Sequence, residues 1–455
     1  MQRPHPLYLY YDTKKWLLLL LLPIIRALFF NRDAVSVILS SLRDTTLAAI
    51  LVTYSVIKWR RARYALRGGL TYEHGLILRR WIRVMAEDAA SIEVERSPLM
   101  WLARGRRIRI NTAGLRRRAD ATIYLPEREA EIMVSMRNRN RERHVASRVF
   151  PVLILSASSS NAALGLLTLA PALRQAGQIL GREVSGEVYG LVNRLVSLGL
   201  PPLFGTAANI FVLGWCFAFA RTFARTVGFT SERSGNQLYL LSGLLTRRSV
   251  FIDRSRITAL ELRQTLFMRI FGLHTVTITA AGYGRERGAR PVIIPAAGPR
   301  DLCGALDTLL PDYPTCPAEV HPPLRALVGY TLLPLLITLG SLVPLYHGGV
   351  WRILAAVWFI MGAWWLIIRL IGYRRAGLGV SREAVTIRYS RGLALYEIHL
   401  PRGAADCARI SQAPWQRRGG TCTVELQCFG EKRRKHRVHA LPVEQTRRLV
   451  ELLVS

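Results

Sequence analysis

Apolar residues in this chain follow two patterns that take turns. Long runs almost free of charge are separated by stretches where apolar and polar residues change places at every second position. A helix needs roughly 20 mostly apolar residues to cross a bilayer core. Val149 to Leu173 and Leu195 to Ala220 carry no charge, and Arg194 and Arg221 close the second. Ala326 to Tyr346 and the shorter Ile353 to Ile368 form another pair, joined by His347-Gly348-Gly349-Val350-Trp351-Arg352. Pro201, Pro202, Pro334 and Pro344 lie within these runs. A membrane tolerates them because neighbouring helices satisfy the freed backbone groups.

The N-terminus is mixed. Trp16 to Phe30 is apolar but holds Pro23 and Arg26, and Ala34 to Ile57 holds Arg43 and Asp44. Lys14-Lys15 before a Leu-rich core suits a secretory signal. However, no small-residue cleavage site follows and a second apolar run comes at once. The pattern therefore predicts a helical hairpin here and about six spanning helices in three pairs. Charges inside such segments pair with one another or snorkel to the interface. One expectation is an ion pair of Arg26 or Arg43 with Asp44; the other is short first helices whose charges reach the interface.

Between the helical pairs the period is two, as in half-buried antiparallel strands. Val276-Thr277-Ile278-Thr279, Val385-Thr386-Ile387-Arg388 and Val424-Glu425-Leu426-Gln427 all alternate in this way. These stretches are repeats. Placing Gly75 on Gly243 aligns about forty residues without a gap, a direct sign of internal repetition. Arg79-Arg80 then meets Arg247-Arg248, Glu93 meets Glu261, Met100 meets Met268, and Ala113-Gly114 meets Ala281-Gly282. A diverged third copy begins at Tyr389-Ser390-Arg391-Gly392-Leu393 and closes at Gly430. Each copy ends in a strand-like run that meets a proline (Pro126, Pro295, Pro442), a residue that suits the first turn of a helix. The implied layout is 1–58 hairpin, 59–146 domain, 147–223 hairpin, 224–322 domain, 323–372 hairpin and 373–455 domain. A unit of this size can hold its own core.

Charge adds orientation. Half the residues are apolar, yet the formal net charge is +33. Residues 58–148 carry 22 Lys/Arg against 10 Asp/Glu, and residues 373–455 carry 16 against 7. In the loop beginning at Arg174, Arg174 and Arg182 are balanced by Glu183 and Glu187. The positive-inside rule puts the long basic segments and both termini on the cytoplasmic side of the membrane. Six cysteines without a CxxC pair or regular spacing suggest reduced thiols.

Tyr-x-x-Gly-Leu, Arg-Arg, a hydrophobic strand and a run ending in Thr112-Ala113-Gly114 or Thr279-Ala280-Ala281-Gly282 resemble the bacterial pleckstrin-homology (PH) domain. Arg269-Ile270-Phe271-Gly272-Leu273 strengthens the likeness in the second copy, and Trp101-Leu102-Ala103-Arg104-Gly105 stands there in the first. Three such units behind paired helices, with His5-Pro6-Leu7 ahead of them, resemble the YdbT-like membrane proteins. The resemblance implies α+β domains, each a bent seven-stranded antiparallel sheet with a C-terminal helix. It further implies an association with envelope stress and a smaller one-domain partner. Eukaryotic relatives hold phosphoinositides by basic residues in their first strand–strand loop, and no motif of this chain maps onto that site.

Candidate chemistry is sparse. Arg104, Arg106 and Arg107, with Arg116, Arg117 and Arg118, are placed to contact anionic headgroups of the inner leaflet, or to form a solvated basic face that fixes topology. Lys432-Arg433-Arg434-Lys435-His436-Arg437 lacks interleaved aromatics, so nucleic acid is not expected. Cys422, Cys428, His436 and His439 match no common zinc spacing, and Ser156 to Ser160 suits close helix packing better than nucleophilic chemistry. No phosphate loop, HExxH or Ser-His-Asp arrangement is present, and no cofactor is expected. The expected function is a non-enzymatic membrane scaffold that binds lipid surface, further copies of itself or a smaller PH-domain protein. A transporter or channel component and a lipid-modifying enzyme are the alternatives.

Overall fold

A computed structural model describes residues 1–20, 34–66, 69–76, 78–85, 88–112, 121–137, 143–159, 202–280, 291–311, 313–347, 351–428 and 434–454. Two helices open the chain, α1 (Leu7–Leu20) and α2 (Ala34–Arg61). Six strands follow in two groups of three. The first group is β1 (Arg63–Ala65), β2 (Gly69–His74) and β3 (Arg80–Met85). The second is β4 (Ala89–Arg96), β5 (Gly105–Thr112) and β6 (Ala121–Pro126), with the short helix α3 (Pro98–Leu102) after β4 and helix α4 (Glu127–Arg137) at the end.

The same succession then returns. After β7 (Arg143–Ala146) come α5 (Val149–Ser159) and α6 (Pro202–Thr226). The second copy has β8 (Thr230–Ser234), β9 (Gln237–Ser242) and β10 (Arg247–Asp253). It continues with β11 (Ile257–Thr265), α7 (Leu266–Ile270), β12 (His274–Ala280), β13 (Val292–Ala297) and α8 (Pro299–Leu309). Helices α9 (Leu327–Gly340), α10 (Leu342–His347) and α11 (Trp351–Arg375) lead to the third copy. Its strands are β14 (Gly377–Val380), β15 (Ala384–Arg391), β16 (Ala394–Pro401), β17 (Ala405–Ser411), β18 (Thr421–Cys428) and β19 (Arg434–Pro442). Helix α12 (Pro414–Arg418) follows β17, and α13 (Val443–Val454) ends the unit.

Local chemistry explains the recurrence of the short helix. Ser97 and Thr265 each accept a hydrogen bond from the backbone N–H three residues on, at 3.3 and 3.2 Å, which is the standard use of a hydroxyl at a helix start. The turn after the helix holds Gly272 and Gly420 at φ +65° and +61°, a region that favours glycine. None of the three closing prolines stands inside a helix: Pro126 and Pro442 are the last residues of β6 and β19, directly before the helices that follow them. In the second copy Pro295 lies inside β13, and Pro299, one residue after Gly298, opens the helix instead.

The sheets do not respect the boundaries of the copies. The strand orders are β1-β2-β3, then β6-β5-β4-β10-β9-β8-β7, then β13-β12-β11-β16-β15-β14, then β17-β18-β19. Each copy therefore gives its first three strands to one sheet and its last three to another. Strand β4 pairs with β10 and β11 with β16, both antiparallel. The two joints share one register: Ile92 faces Phe251 in the first, and the equivalent residues Leu260 and His399 face each other in the second.

Self-contained cores were the expectation, and sharing replaces them. The two faces of a strand point to opposite sides of a sheet. On β10, Val250 and Ile252 belong to the second core, whereas Phe251 joins Ile92, Ile108 and Ile123 in the first, together with Tyr239. Phe251 is 3% exposed, and burying such a ring stabilises by about 1.5–3 kcal/mol. Likewise β11 gives Ala259 to the third core.

The outer edge of each copy's first strand is covered by the segment that precedes the helices. Gln2 bridges Tyr64 of β1, β7 pairs with β8, and Val320 bridges Leu378 of β14. Of the described helices, Leu324–Tyr346 and Ala355–Arg375 are long and apolar enough to cross a membrane, and the apolar helix at Val149–Ser158 is shorter. The expectation of about six spans thus meets two such helices among the described residues, and residues 160–201 lie outside the description.

Candidate membrane-facing site

The N-terminal helices are held together near the domain by Asp12, which accepts hydrogen bonds from Ser55 Oγ at 3.1 Å and Lys58 Nζ at 3.1 Å. This is an ion pair of the first hairpin, and it is not the one expected from the sequence. Arg26 lies outside the described residues, as do the side chains of Arg43 and Asp44. Tyr11 stacks on Tyr124 at 5.2 Å and shares a hydrogen bond with Ser97 at 3.1 Å. Leu7 and Tyr8 pack with Met100 of α3. The short helix of the first copy is thereby fastened to α1. In the second copy the equivalent Met268 packs with Ile154 of the apolar helix α5, and Phe271 meets Phe150 edge-on at 5.9 Å. Both short helices face the helix pair before them.

The β9–β10 hairpin is fastened the same way to the end of α6. Gly243 N–H donates to Val227 O at 3.2 Å and Leu244 N–H to Ala224 O at 2.8 Å. Between this hairpin and α3 lies a cleft of about 330 Å³, lined by Arg96, Ser97, Pro98, Trp101, Leu244, Leu245 and Arg247. Trp101, Leu102, Leu244 and Leu245 are all more than 60% exposed, with Leu102 at 78%. A contiguous apolar surface of this kind on a soluble face marks an interaction or membrane site. Ile270, the equivalent of Leu102 in the second copy, is exposed as well, as are Leu99 and its equivalents Phe267 and Trp415 in the second and third copies.

Arg96 and Arg247 stand directly opposite each other across the first joint. Like charges so placed repel. Glu127 meets Arg96 at 2.9 Å, and Arg247 has no ion partner among the described residues. The cleft therefore combines exposed aromatic and aliphatic side chains with the Arg247 guanidinium, which no carboxylate among the described residues compensates, and this suits an anionic amphiphile.

The arginines singled out from the sequence sit otherwise. Arg104 is exposed at the turn after α3, with a left-handed φ of +50°. Arg106 bonds Glu127 at 2.9 Å and Glu131 at 2.6 Å, and Arg107 bonds Glu95. Headgroup contact by these two would compete with carboxylates already in place. Arg116, Arg117 and Arg118 lie outside the described residues. Burial would raise the pKa of Glu95, but Arg107, with Arg248 and Arg109 behind it, outweighs that and holds the carboxyl below its ordinary value. Arg109 reaches Glu93 at 3.4 Å, and Arg248, from the second copy, reaches both Glu93 and Glu95 at 3.9 Å. This cluster ties the first two copies together.

Arg247-Arg248 is the counterpart of Arg79-Arg80 in the repeat, and only the strand pairing brings Arg247 onto Arg96. Among the described residues no three His, Cys, Asp or Glu side chains gather as a metal site. Cys428 and His436 approach to 3.5 Å inside the third core, where His436 also bonds Tyr389 at 2.9 Å.

A family model described as Bacterial PH domain matches residues 17–148, 183–307 and 331–455. The chain belongs to the bacterial PH domain family. This PH protein is 21% identical over 408 residues to the UPF0699 transmembrane protein YdbT of Bacillus subtilis (strain 168), covering 82% of this chain and 81% of that one. It is thus a YdbT-like membrane protein with three internal repeats. No solved structure matches it.

Proposed function

We propose that this PH protein is a non-catalytic scaffold of the bacterial inner membrane. It crosses about six times in three helical pairs, keeps both termini and all three domains in the cytoplasm, and presses the domains against the inner leaflet to serve envelope maintenance. The excess of Lys/Arg in residues 58–148 and 373–455 supports the orientation. The observation that carries the reading is the amphiphilic cleft between α3 and the β9–β10 hairpin, both of whose walls are fastened to helices that lead into apolar segments. A charge near an anionic surface contributes about 1 kcal/mol, so several weak contacts on a tethered domain add to a stable dock.

The test uses the full chain in nanodiscs of anionic or zwitterionic lipid, its native cysteines replaced and one spin label at position 102 or 244. Both labels are expected to collide more with oxygen in the bilayer than with an aqueous nickel chelate. Arg247→Ala is expected to weaken that preference in anionic discs. Labels equally wet in both lipids would end the leaflet-docking reading. A tag near Gly181 reachable only from the cytoplasm would end the topology.

A further inference from the structure

We propose that β17 of one chain pairs with β3 of a second copy, repeating between molecules the joint that each chain makes twice within itself. This deepens the scaffold reading and rests on it for the setting, two chains side by side in one membrane. The argument begins with equivalence. Copy one maps onto copy two by 168 residues (Gly75 to Gly243), and copy two onto copy three by 148 (Gly272 to Gly420). Under these shifts β3, β10 and β16 are one set, and β4, β11 and β17 another. Strand β10 takes β4, and β16 takes β11. Among the described residues, β3 and β17 are the members of these sets that have no partner strand on that edge.

The internal joints do not depend on one side-chain recipe. Where the first has Phe251 and Tyr239, the second has His399 and Thr386, which share a hydrogen bond at 2.8 Å. The constant element is the backbone ladder in one register, so the same ladder is open to β3 and β17. Carrying the register over puts Ile410 opposite Trp81, Arg409 opposite Ile82 and Ala408 opposite Arg83. Trp81 is 66% exposed and Met85 52%, whereas Ala408 and Ile410 are half-buried against the third core. Pairing would cover Trp81 with Ile410 and set Arg83 diagonal to Asp406, a favourable cross-strand arrangement. An open edge with exposed apolar side chains is a template for strand addition. The contact is head-to-tail, so it either closes a ring or continues as an array.

Two differently tagged full-length chains with native cysteines replaced, one carrying Trp81→Cys and the other Ile410→Cys, test the pairing in native membranes. Facing strand positions have the spacing a disulfide needs, so at least about a tenfold excess of mixed disulfide is expected over the off-register pair Trp81→Cys with Arg409→Cys. Trp81→Glu, at an exposed position, is expected to leave protein level and melting unchanged while shifting the nanodisc mass distribution to single chains. The proposal is overturned by absence of the in-register disulfide, by disulfides joining only Trp81→Cys chains to each other, or by capture of a different protein at that edge. The lipid preference of a label at position 102 is independent of this pairing. If it persists while the disulfide is absent, the edge proposal alone fails.

Discussion

The two joints between copies have one backbone geometry and two chemistries. At the first, Phe251 and Tyr239, ring centroids 4.8 Å apart, reach from the second copy into the first core, and Arg248 leans on Glu93 and Glu95. At the second, buried His399 bonds Thr386, and Glu397 takes Arg388 at 2.5 Å and His399 at 3.4 Å. The comparison teaches that register was kept while the filling changed. A ladder of backbone hydrogen bonds is indifferent to side-chain identity, so long as each face meets a core or a satisfied polar partner.

The largest effect is expected from Phe251→Ala, which should cost about 3–5 kcal/mol as a cavity opens in the first core. The decisive readout is local: hydrogen exchange should accelerate in Ile92, Ile108 and Ile123, residues of the other copy. Acceleration confined to the second copy would contradict core sharing. A middle effect is expected from Glu95→Gln, about 2–3 kcal/mol, because it strands Arg107, whose side chain is only 15% exposed. Glu397→Gln at the second joint, 27% exposed, should cost less, about 1 kcal/mol, and equal melting losses would erase the contrast.

The smallest effect at ordinary pH, though a separate axis, is acid sensitivity. Burial raises the pKa of Glu397, but His399 and Arg388 outweigh it and bring the group down to about 2. Glu95 is lowered too, by Arg107 against burial. A carboxylate lowered in the folded state contributes its stability in full above the unfolded value and loses it as pH falls through the folded one. Melting of the protein in nanodiscs should therefore decline gently as pH falls through the ordinary histidine range, because burial holds His5, His74, His274 and His439 below it, and fall further from the ordinary carboxylate range down toward pH 2. Glu397→Gln should flatten part of that fall, and an unchanged acid limb would separate these groups from it.

Much of this was legible in the residues. The Gly75/Gly243 repeat, the Arg-Arg pair and period-two runs such as Val276-Thr277-Ile278-Thr279 do become equivalent strands. Glu93 and Glu95 alternate with Ile92 and Val94 on β4, opposite Arg109 and Arg107 on β5, a pattern a strand-pairing argument can find. Arg106 and Arg107 nonetheless read as free basic residues, because their carboxylates are distant in sequence. Pro295 read as a helix start because a proline alone does not distinguish a strand from the first turn after it.

The sequence by itself determined the alternation of apolar helices with three basic, strand-rich copies, since period and repetition are local properties carried in every window of the chain. Only the tertiary structure decided where one copy ends and the next begins. Strand edges pair by geometry rather than proximity along the chain, so Phe251 serves the core of the preceding copy, Arg247 faces Arg96, and β3 and β17 are the strands of their sets without a neighbour among the described residues.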